Sequence, residues 1–428
     1  MKKLSLLLSV VSAMVLAAPA AGQDVGSVVS ESGVATPGNR FRLKAELKVN
    51  GRTSDDVSVP IGAAVARTVQ PHGSLEISNV AIIGEGDLTP DISARTVIHF
   101  IDLYTRNPTS SGATVTVREA WLRFGKKHEA LQPIPGTSVY VQLGKAPKFS
   151  KQLNRRFENY GLWGTATGRL EEIGLEAGGS FGSVVYWRAS VANGNPLFMR
   201  DPNSLAGSNG GIDRTNATVV TSGFPILYEA RADDLNGRGR FQYGGGLGFR
   251  FNFGEDRKNG VDLLGWAYSR SLADSPAELS LLKGYGGVSL PVDGTEKRDY
   301  GANVEARFGG LQLYGQYVHQ DLAGLVRKGY EVELAYRIRL NGLFVSGDTP
   351  VLNWIQPTVR VSHFDSFGRT PGYFAPQITW DWTKYDFGFR LGILRGMDFT
   401  AEYMVNDAEA AAGTIHPNEL LATLRLGF

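Results

Sequence analysis

The chain of 428 residues contains no cysteine, and this absence excludes several kinds of site. Without thiols there is no cysteine nucleophile, no thiolate metal site and no disulfide framework. An exported chain of this composition must therefore be held together by its secondary structure and packing. The length allows two or three soluble domains, but an all-β barrel can also run this long as one domain.

Long apolar runs and polybasic segments are missing as well. Beyond the N-terminal stretch, no apolar run approaches the roughly 18 residues that a membrane-spanning helix needs. No basic tail suggests nucleic acid as a partner. The chain is therefore expected to be periplasmic, secreted or an outer-membrane barrel, because barrel strands alternate in polarity and escape hydropathy scans.

The N-terminus has the pattern of a secretory signal peptide. Lys2 and Lys3 precede an apolar stretch from Leu4 to Ala18, and small residues follow in Ala18 to Gly22. This pattern predicts a cleaved signal at 1–22; an uncleaved anchor is the alternative, which the shortness of the stretch disfavours. Cleavage removes two lysines and no acid, so the formal net charge falls from +2 to 0. Any anion preference must then come from where the charges lie.

Strict alternation of apolar and polar residues is the main structural signal. In Phe41 to Asn50 the odd positions are apolar and the even positions polar, and the same period recurs in Tyr330 to Leu340, Tyr385 to Ile393 and Leu420 to Phe428. Period two puts each apolar set on one face of a strand. Runs of about 10 residues fit a tilted membrane strand, with the apolar face toward lipid and the charged face toward water.

Short turn signals and long polar stretches alternate between the strands. The turns are predicted at 84–90, 181–183, 236–239, 308–310 and 395–397, and the long stretches near 51–73, 145–170, 193–225, 254–297, 366–382 and 407–417. The predicted strands lie near 40–50, 73–83, 91–103, 113–124, 138–145, 170–179, 183–192, 226–233, 241–253, 298–307, 311–319, 329–340, 356–365, 383–394, 398–406 and 418–428.

This organisation predicts an all-β fold, a transmembrane antiparallel β-barrel of about 16 strands at 40–428. Eighteen strands are possible, because 263–269 and 374–382 also read as strands. A short periplasmic N-terminal segment is expected at 23–39. Barrels of 16 to 18 strands leave an aqueous channel. Aromatic residues near strand ends are expected to form an interfacial girdle: Tyr140, Trp187, Tyr314, Tyr317, Trp354, Trp380, Trp382 and Tyr403.

Two resemblances narrow the prediction. The alternating last strand that ends on Phe428 resembles the C-terminal signature of bacterial outer-membrane proteins, which implies recognition by the barrel-assembly machinery. Segments Val117 to Gly125, Val139 to Ser150 and Val184 to Asn195 resemble the phosphate-selective porin O and P family. Gly144 to Phe149 is similar to that family's Gly-Gln-Phe-Lys-x-Pro-Phe pattern, although its Lys and Pro are shifted. The resemblance implies a sixteen-stranded homotrimer whose third long loop folds into the lumen, with arginines and lysines that bind anions.

A cluster of cations follows the fifth predicted strand. Five cations precede the first acid, Glu158, and form the pore-constriction and anion-binding candidates: Lys145, Lys148, Lys151, Arg155 and Arg156. Rings of Arg and Lys are expected in anion and phosphate pores. The alternative is a solvated loop that contacts lipopolysaccharide phosphates or a neighbouring subunit. The strand register adds ten lumen-lining candidates: Arg42, Lys44, Lys48, Arg95, Arg118, Arg188, Arg231, Arg337, Arg339 and Arg390. Acids share these faces, so a mixed wall of a general porin is also compatible.

Catalysis has little support in the sequence. The six histidines are scattered, without the i, i+4 pairing of a zinc helix. Gly178 to Gly182 matches a nucleophile-elbow pattern but falls in a predicted strand-to-strand turn. We therefore expect no reaction, no metal and no cofactor.

The sequence favours an outer-membrane porin for small hydrophilic solutes, with preference for anions such as phosphate. The expected partners are outer-membrane lipid and lipopolysaccharide, the barrel-assembly machinery and further copies in a homotrimer, and no nucleic acid. A general or carbohydrate-selective porin is the alternative; lumenal aromatics would favour it, and Trp121, Tyr186 and Tyr373 are candidates. An outer-membrane enzyme or an adhesin barrel represents a different class.

Overall fold

The computed structural model of the chain describes residues 34–35, 41–55, 57–62, 65–69, 74–101, 115–151, 155–161, 164, 171–200, 211–212, 219–220, 226–229, 241–254, 257–273, 275–284, 294–346, 349–367, 380–410, 413–416 and 418–428. The predicted signal peptide at 1–22 lies outside these residues, as does most of 23–39. Arg231, Tyr373 and the predicted turn at 236–239 also lie outside them.

A closed antiparallel β-barrel of sixteen strands dominates the described part of the chain, which confirms the predicted fold class. The alternation of apolar and polar residues gives each strand one apolar and one polar face. Closure of the sheet into a ring pairs both edges of every strand in the ring. The strands are β1 (Phe41–Ser54), β2 (Ser74–Thr89), β3 (Ile92–Ile101), β4 (Thr116–Gly125), β5 (Ser138–Pro147), β6 (Glu171–Phe181), β7 (Val185–Asn193), β8 (Phe241–Phe253), β9 (Asn259–Ser271), β10 (Glu296–Phe308), β11 (Leu311–Leu322), β12 (Leu325–Tyr336), β13 (Trp354–Ser366), β14 (Trp380–Leu394), β15 (Met397–Ala410) and β16 (Glu419–Gly427).

Pairing of the last strand with the first closes the ring. Each strand pairs with its successor in the sequence, and β16 pairs with β1 in a register that sets Leu424 opposite Val49. The backbone N–H of Phe428 donates to the carbonyl of Ala45 at 2.9 Å. The C-terminal residues are therefore part of the barrel seam.

Burial in the barrel is the reverse of burial in a soluble protein. On β8, Phe249 faces outward and is 42% exposed, whereas Arg250 faces inward and is 1% exposed. The outer surface carries exposed apolar side chains on many strands, and the interior holds the charged ones. An apolar outer band with a polar interior is the arrangement of a barrel surrounded by lipid.

The connections differ between the two ends of the barrel. The end that holds residues 41 and 428 has tight turns at 182–184, 309–310 and 395–396 and longer connections at 126–137 and 337–353, while the opposite end has the long connections 55–73, 148–170, 194–240 and 272–295 and a two-residue connection at 323–324. Long loops on one side and short turns on the other are typical of outer-membrane barrels. Each of the three tight turns contains a glycine with positive φ, at 182, 309 and 396.

Smaller elements of secondary structure lie in the connections between the barrel strands. A helix, α1, spans Pro276–Gly284. Val34–Ala35 pairs with β1, Ile338–Arg339 with β13, and Gly413–Ile415 with β15. Four further hairpins join Val57–Gly62 to Val65–Val69, Leu197–Arg200 to Ile226–Glu229, Gly211–Ile212 to Val219–Val220, and Phe344–Ser346 to Thr349–Val351.

Several predicted boundaries are wrong although the strand number is right. Of the predicted strand at 226–233, the described residues Ile226–Glu229 lie outside the ring, and their pairing partner among the described residues is Leu197–Arg200. The place of this predicted strand is taken by β9, which lies within the predicted loop at 254–297. The predicted turn at 84–90 is mostly strand, since β2 continues to Thr89.

The predicted strands at 311–319 and 329–340 are too short at the ends that face each other, although the turn between β11 and β12 does lie between them. The strands continue to Leu322 and from Leu325, joined by only Ala323 and Gly324. Both residues have positive φ, 54° and 95°, as a two-residue type I′ hairpin requires. Ala is an unusual residue there, so the turn had no sequence signal.

The predicted aromatic girdle is confirmed for only some of its residues. Tyr317 and Tyr403 are outward and 45% exposed, whereas Tyr140, Tyr314 and Trp382 are at most 1% exposed and face the interior. The strand register decides this, because successive positions on a strand alternate between the two faces.

Candidate functional site

The connection between β5 and β6, residues 148–170, is the third long loop. Its described residues 148–151 and 155–161 enter the barrel, and we call them the lumenal loop. Its start is bound to the far wall by two side-chain amides. Asn303 Nδ2 and Gln316 Nε2 donate to the carbonyl of Ser150 at 2.8 and 2.9 Å. Phe149 stacks on Tyr268 with ring centres 5.0 Å apart. The loop thus crosses from β5 to the wall formed by β9, β10 and β11.

The tip of the lumenal loop is bound to a second part of the wall. Glu402 on β15 accepts from the backbone N–H groups of Glu158 and Asn159. Arg360 on β13 donates to the Asn159 side-chain oxygen at 2.7 Å, and Lys384 on β14 donates to the carbonyl of Tyr160 at 2.7 Å. Charged hydrogen bonds to main-chain groups are stronger than neutral ones, so the loop is firmly attached.

A lysine on the first strand completes the attachment of the tip. Lys48 donates to Glu158 at 2.8 Å. Burial acts to raise the pKa of Glu158, but the charges of Lys48, Arg390 and Arg155 outweigh it and lower the pKa to about 2. Glu158 is therefore ionised at neutral pH and bridges the loop to β1.

Most of the five constriction candidates come together in the lumenal loop, but three of them are bound to carboxylates. Lys148 lies 3.0 Å from Glu172, Lys151 bonds Glu171, and Arg156 lies 3.0 Å from Glu333: these are the three paired cations. Neutral pairs contribute less to an anion-attracting field than free cations do, so the expected strength of the cluster is reduced.

The other two candidates differ from each other. Arg155 lies over the ring of Tyr160, with its guanidinium carbon 3.6 Å from the ring centre, and lines the lumen. Lys145 stands on β5 opposite Ala120 and is not among the residues that line the cavity.

The ammonium group of Lys148, one of the three paired cations, is stabilised in its charged form. Burial acts to lower the pKa of Lys148, but the negative charges of Glu172 and Glu229 outweigh burial and raise this pKa.

The lumenal loop borders a cavity of about 1000 Å³ whose charged lining residues are mainly cationic. Fifteen lining residues are Lys or Arg: Arg42, Lys44, Arg95, Arg123, Lys127, Lys148, Lys151, Arg155, Arg156, Arg188, Arg250, Arg307, Arg337, Arg390 and Arg425. Seven are acidic: Glu46, Glu85, Asp87, Glu119, Glu129, Asp262 and Glu305. The surface layer thus carries an excess of eight positive charges.

Carboxylates behind the surface reduce this excess. Six of them form ion pairs with lining cations: Glu171, Glu172, Glu176, Glu229, Glu333 and Asp398. When they are included, fifteen cations face thirteen acids, and a positive excess of two remains. The cations stand nearer to the solvent in the lumen, so a permeating ion meets them first.

The ten lumen-lining candidates have different positions. Six line the cavity: Arg42, Lys44, Arg95, Arg188, Arg337 and Arg390. Lys48 and Arg118 are held behind the surface by Glu158 and Glu171, at 2.8 Å in both cases. Arg339 is exposed near the end of its strand and does not line the cavity.

A second segment inside the barrel was not predicted. The connection between β4 and β5, residues 126–137, turns inward from the end that holds residues 41 and 428; we call it the inner connection. Arg188 and Arg250 donate to the carbonyls of His128 and Gln132 at 3.1 and 2.9 Å. Burial and the charges of Arg250 and Arg188 lower the pKa of His128, so it is neutral at neutral pH. The sequence offers no periodic signal in this segment that could have revealed its position.

Arg123, Lys127 and Tyr160 also line the cavity and were not singled out from the sequence. Arg123 shares the inward face of β4 with Trp121, but parity from the inward Arg118 predicts Arg123 to face outward, because the pairing register shifts between these positions. Within the described residues, no group of three or more His, Asp or Glu could hold a metal ion. Among the described helices, none has the length and apolar character required to cross a membrane.

Comparison with known proteins identifies the fold. Neither the protein-family models nor the curated proteins gave a match. Among solved structures, the outer-membrane channel DcaP of Acinetobacter baumannii is similar over 92% of this chain and 99% of its own, with 9% identity and a TM-score of 0.52. OprB of Pseudomonas putida gives 12% identity and 0.53 over 91% and 94%. OmpF of Salmonella typhi, in complex with daunomycin, gives 9% and 0.53 over 92% and 100%. At these identities the likeness shows the fold alone, the closed antiparallel β-barrel that this chain shares with these structures.

Proposed function

We propose that the protein is an outer-membrane porin, a water-filled channel through which small hydrophilic solutes diffuse passively, with preference for anions such as phosphate. The observation that carries this proposal is the lining of the cavity, where fifteen cations and seven acids face the solvent. A cationic lumen raises the local concentration of anions and lowers that of cations. No chemical step is part of the proposal.

The motif Gly144 to Phe149 supports the phosphate-selective alternative within this proposal. Gly144 has φ 124°, and a side chain there would collide with the backbone of Ala120 on β4. Lys148 and Phe149 begin the lumenal loop, the first through its pair with Glu172 and the second through its stack on Tyr268. The motif thus directs the loop into the lumen.

A carbohydrate-selective porin is the main competitor, because Trp121, Tyr160 and Tyr186 line the cavity. A sugar would need the open face of such a ring. Here each ring lies under a guanidinium: Arg123 is 4.2 Å from the centre of Trp121, and Arg155 is 3.6 Å from that of Tyr160. Cation–π pairing leaves charge, rather than an apolar platform, toward the lumen. These pairs favour the anion channel.

The proposal includes the setting in which the channel works. The exposed apolar outer face supports contact with outer-membrane lipid, and Phe428 at the barrel seam suits recognition by the barrel-assembly machinery. Export through a cleaved signal at 1–22, contact with lipopolysaccharide and assembly as a homotrimer belong to the same proposal.

Ion substitution in planar bilayers tests the proposal. Purified protein should give stepwise conductance in KCl. Replacing chloride by bulky gluconate should lower the conductance more than replacing potassium by bulky tetraethylammonium. Absence of steps would leave the adhesin or enzyme barrel as the better reading, and a larger effect of the cation would contradict anion preference.

A further inference from the structure

Two tyrosine rings lie flat along the inner wall, each over a glycine of the neighbouring strand. Tyr140 on β5 covers Gly178 on β6, where an added Cβ would stand 2.6 Å from the ring. Tyr186 on β7 covers Gly248 on β8 in the same way. The hydroxyl of Tyr186 donates to Asp262 on β9 at 2.6 Å, so the ring reaches across one strand to the next.

Arg188 lies between the two rings. Its guanidinium carbon is 5.1 Å from the centre of Tyr140 and 4.9 Å from that of Tyr186. Its guanidinium donates hydrogen bonds to two main-chain carbonyls, those of Trp187 and His128. Within the described residues it forms no ion pair with a carboxylate, although it lines the cavity.

The cations that surround Arg188 are each paired with a carboxylate, so the positive charge of Arg188 is left over when these charges are added. Lys127 pairs with Glu176 at 2.8 Å. Arg250 pairs with Asp262, and Arg123 lies 3.8 Å from Glu129. Four cations therefore meet three acids: Arg123, Lys127, Arg188 and Arg250 against Glu129, Glu176 and Asp262. One net positive charge suits a ligand with a single negative charge.

The second planar feature is Arg123, stacked on Trp121 with 4.2 Å between guanidinium carbon and ring centre. The guanidinium carbons of Arg123 and Arg188 lie 6.0 and 5.1 Å from the centre of Tyr140, so they are at most about 11 Å apart. Both groups line the same cavity. Flat guanidinium groups on flat rings can stack on a planar ligand, and their N–H edges can bind a carboxylate with two hydrogen bonds.

We propose that Arg188, Arg123 and the rings of Trp121 and Tyr186 form a binding site for aromatic monocarboxylates inside the channel. The carboxylate is bound by Arg188, and the ring of the ligand stacks against Arg123 on Trp121. This inference rests on the proposed function and names a solute class for it, distinct from compact anions such as phosphate.

Titration calorimetry of the detergent-solubilised protein with benzoate tests the site. Cyclohexanecarboxylate has the same charge and nearly the same size but is not planar. We expect benzoate to bind several-fold more tightly than cyclohexanecarboxylate, and Arg188→Gln to weaken benzoate about tenfold, the scale of one charged hydrogen-bonded contact. Arg298→Gln, at an exposed pair with Glu296, is the matched control and should bind benzoate like the parent.

A second variant separates binding from folding. Trp121→Leu keeps every charge but removes the stacking platform, so it should reduce the preference for benzoate over cyclohexanecarboxylate. Equal binding of the two ligands by the parent protein, or unchanged benzoate affinity in both variants, would overturn the proposal. KCl conductance of the parent protein distinguishes failure of this binding site from failure of the proposed channel function. A conducting channel that does not bind benzoate rejects only this site, whereas benzoate binding without conductance rejects only the proposed channel.

Discussion

Lys48 on the first strand donates a hydrogen bond to Glu158 of the lumenal loop at 2.8 Å, joining residues 110 positions apart. Glu402 and Arg360 bind the same loop from other strands, so the pair is one of several contacts that attach the loop to the barrel wall. A loop fixed at its start and at its tip gives the cavity a defined shape. The pore lining therefore depends on ion pairs within the barrel as well as on its strand number.

The first prediction concerns pH. The pKa of Glu158 is lowered to about 2, against an ordinary value near 4.5, so the unfolded chain binds its proton at a higher pH than the folded barrel does. The stabilisation is fully present above about pH 4.5 and is lost as the pH falls toward 2. Glu158→Gln should lower the melting temperature at pH 7, and the difference should shrink below pH 4.5. A difference that is constant down to pH 3 would contradict this, and Glu296→Gln, at an exposed pair, is the control.

The second prediction concerns the tip of the lumenal loop. Glu402→Ala removes the acceptor of two backbone N–H groups and of the Asn159 amide, at a cost of about 1–3 kcal/mol for buried groups left unsatisfied. We expect noisier open-channel current and a changed unit conductance in bilayers. Glu409→Ala, at the exposed end of the same strand, should leave both unchanged. Steady, parent-like current from Glu402→Ala would show that the loop is fixed in another way.

The third prediction tests whether the anion preference follows the net charge of the lumen, even when the cation that is changed is ion-paired. Lys151→Gln removes one of the two cations that pair with Glu171 among the described residues, leaves Arg118, and takes one positive charge from the lumen. The ratio of anion to cation permeability should therefore fall. Lys151→Gln combined with Glu171→Gln restores the net charge and should return the ratio close to the parent value. If the double variant stays as low as the single one, the position of Lys151 matters more than the charge balance.

The fourth prediction concerns the flat rings. Gly248→Ala forces a Cβ into the ring of Tyr186, and overpacking of this kind costs about 1–3 kcal/mol. The barrel should unfold at a lower temperature, followed by heat-dependent mobility in gels. Gly245→Ala on the same strand has open space around the added carbon and is the matched control. Equal losses in the two variants would mean that the effect comes from the strand backbone.

Local periodicity explains why so much of the barrel could be predicted. Alternation over 41–50 places Phe41 outward and Lys44 inward without any knowledge of neighbours. It failed where two segments compete for one place in the ring. Ile226–Glu229 is apolar enough for a strand, yet Asn259–Ser271 occupies the sheet because it pairs over twelve residues with β8 and over twelve with β10.

The site was harder to predict than the fold because its contacts are long-range. The clustering of Lys148, Lys151 and Arg156 is visible in the sequence, but the carboxylates that bind them are not. Glu333, for example, is 177 positions from Arg156 and on a different strand. Parity shows which side chains point inward, whereas pairing across the lumen depends on how the loop folds.

The zero-current potential across a planar bilayer under a tenfold KCl gradient tests the central claim most directly, because it reports which ion the lumen prefers. The account predicts a potential with the sign of chloride selectivity, carried by the fifteen lining cations. A potential with the sign of potassium selectivity would contradict it.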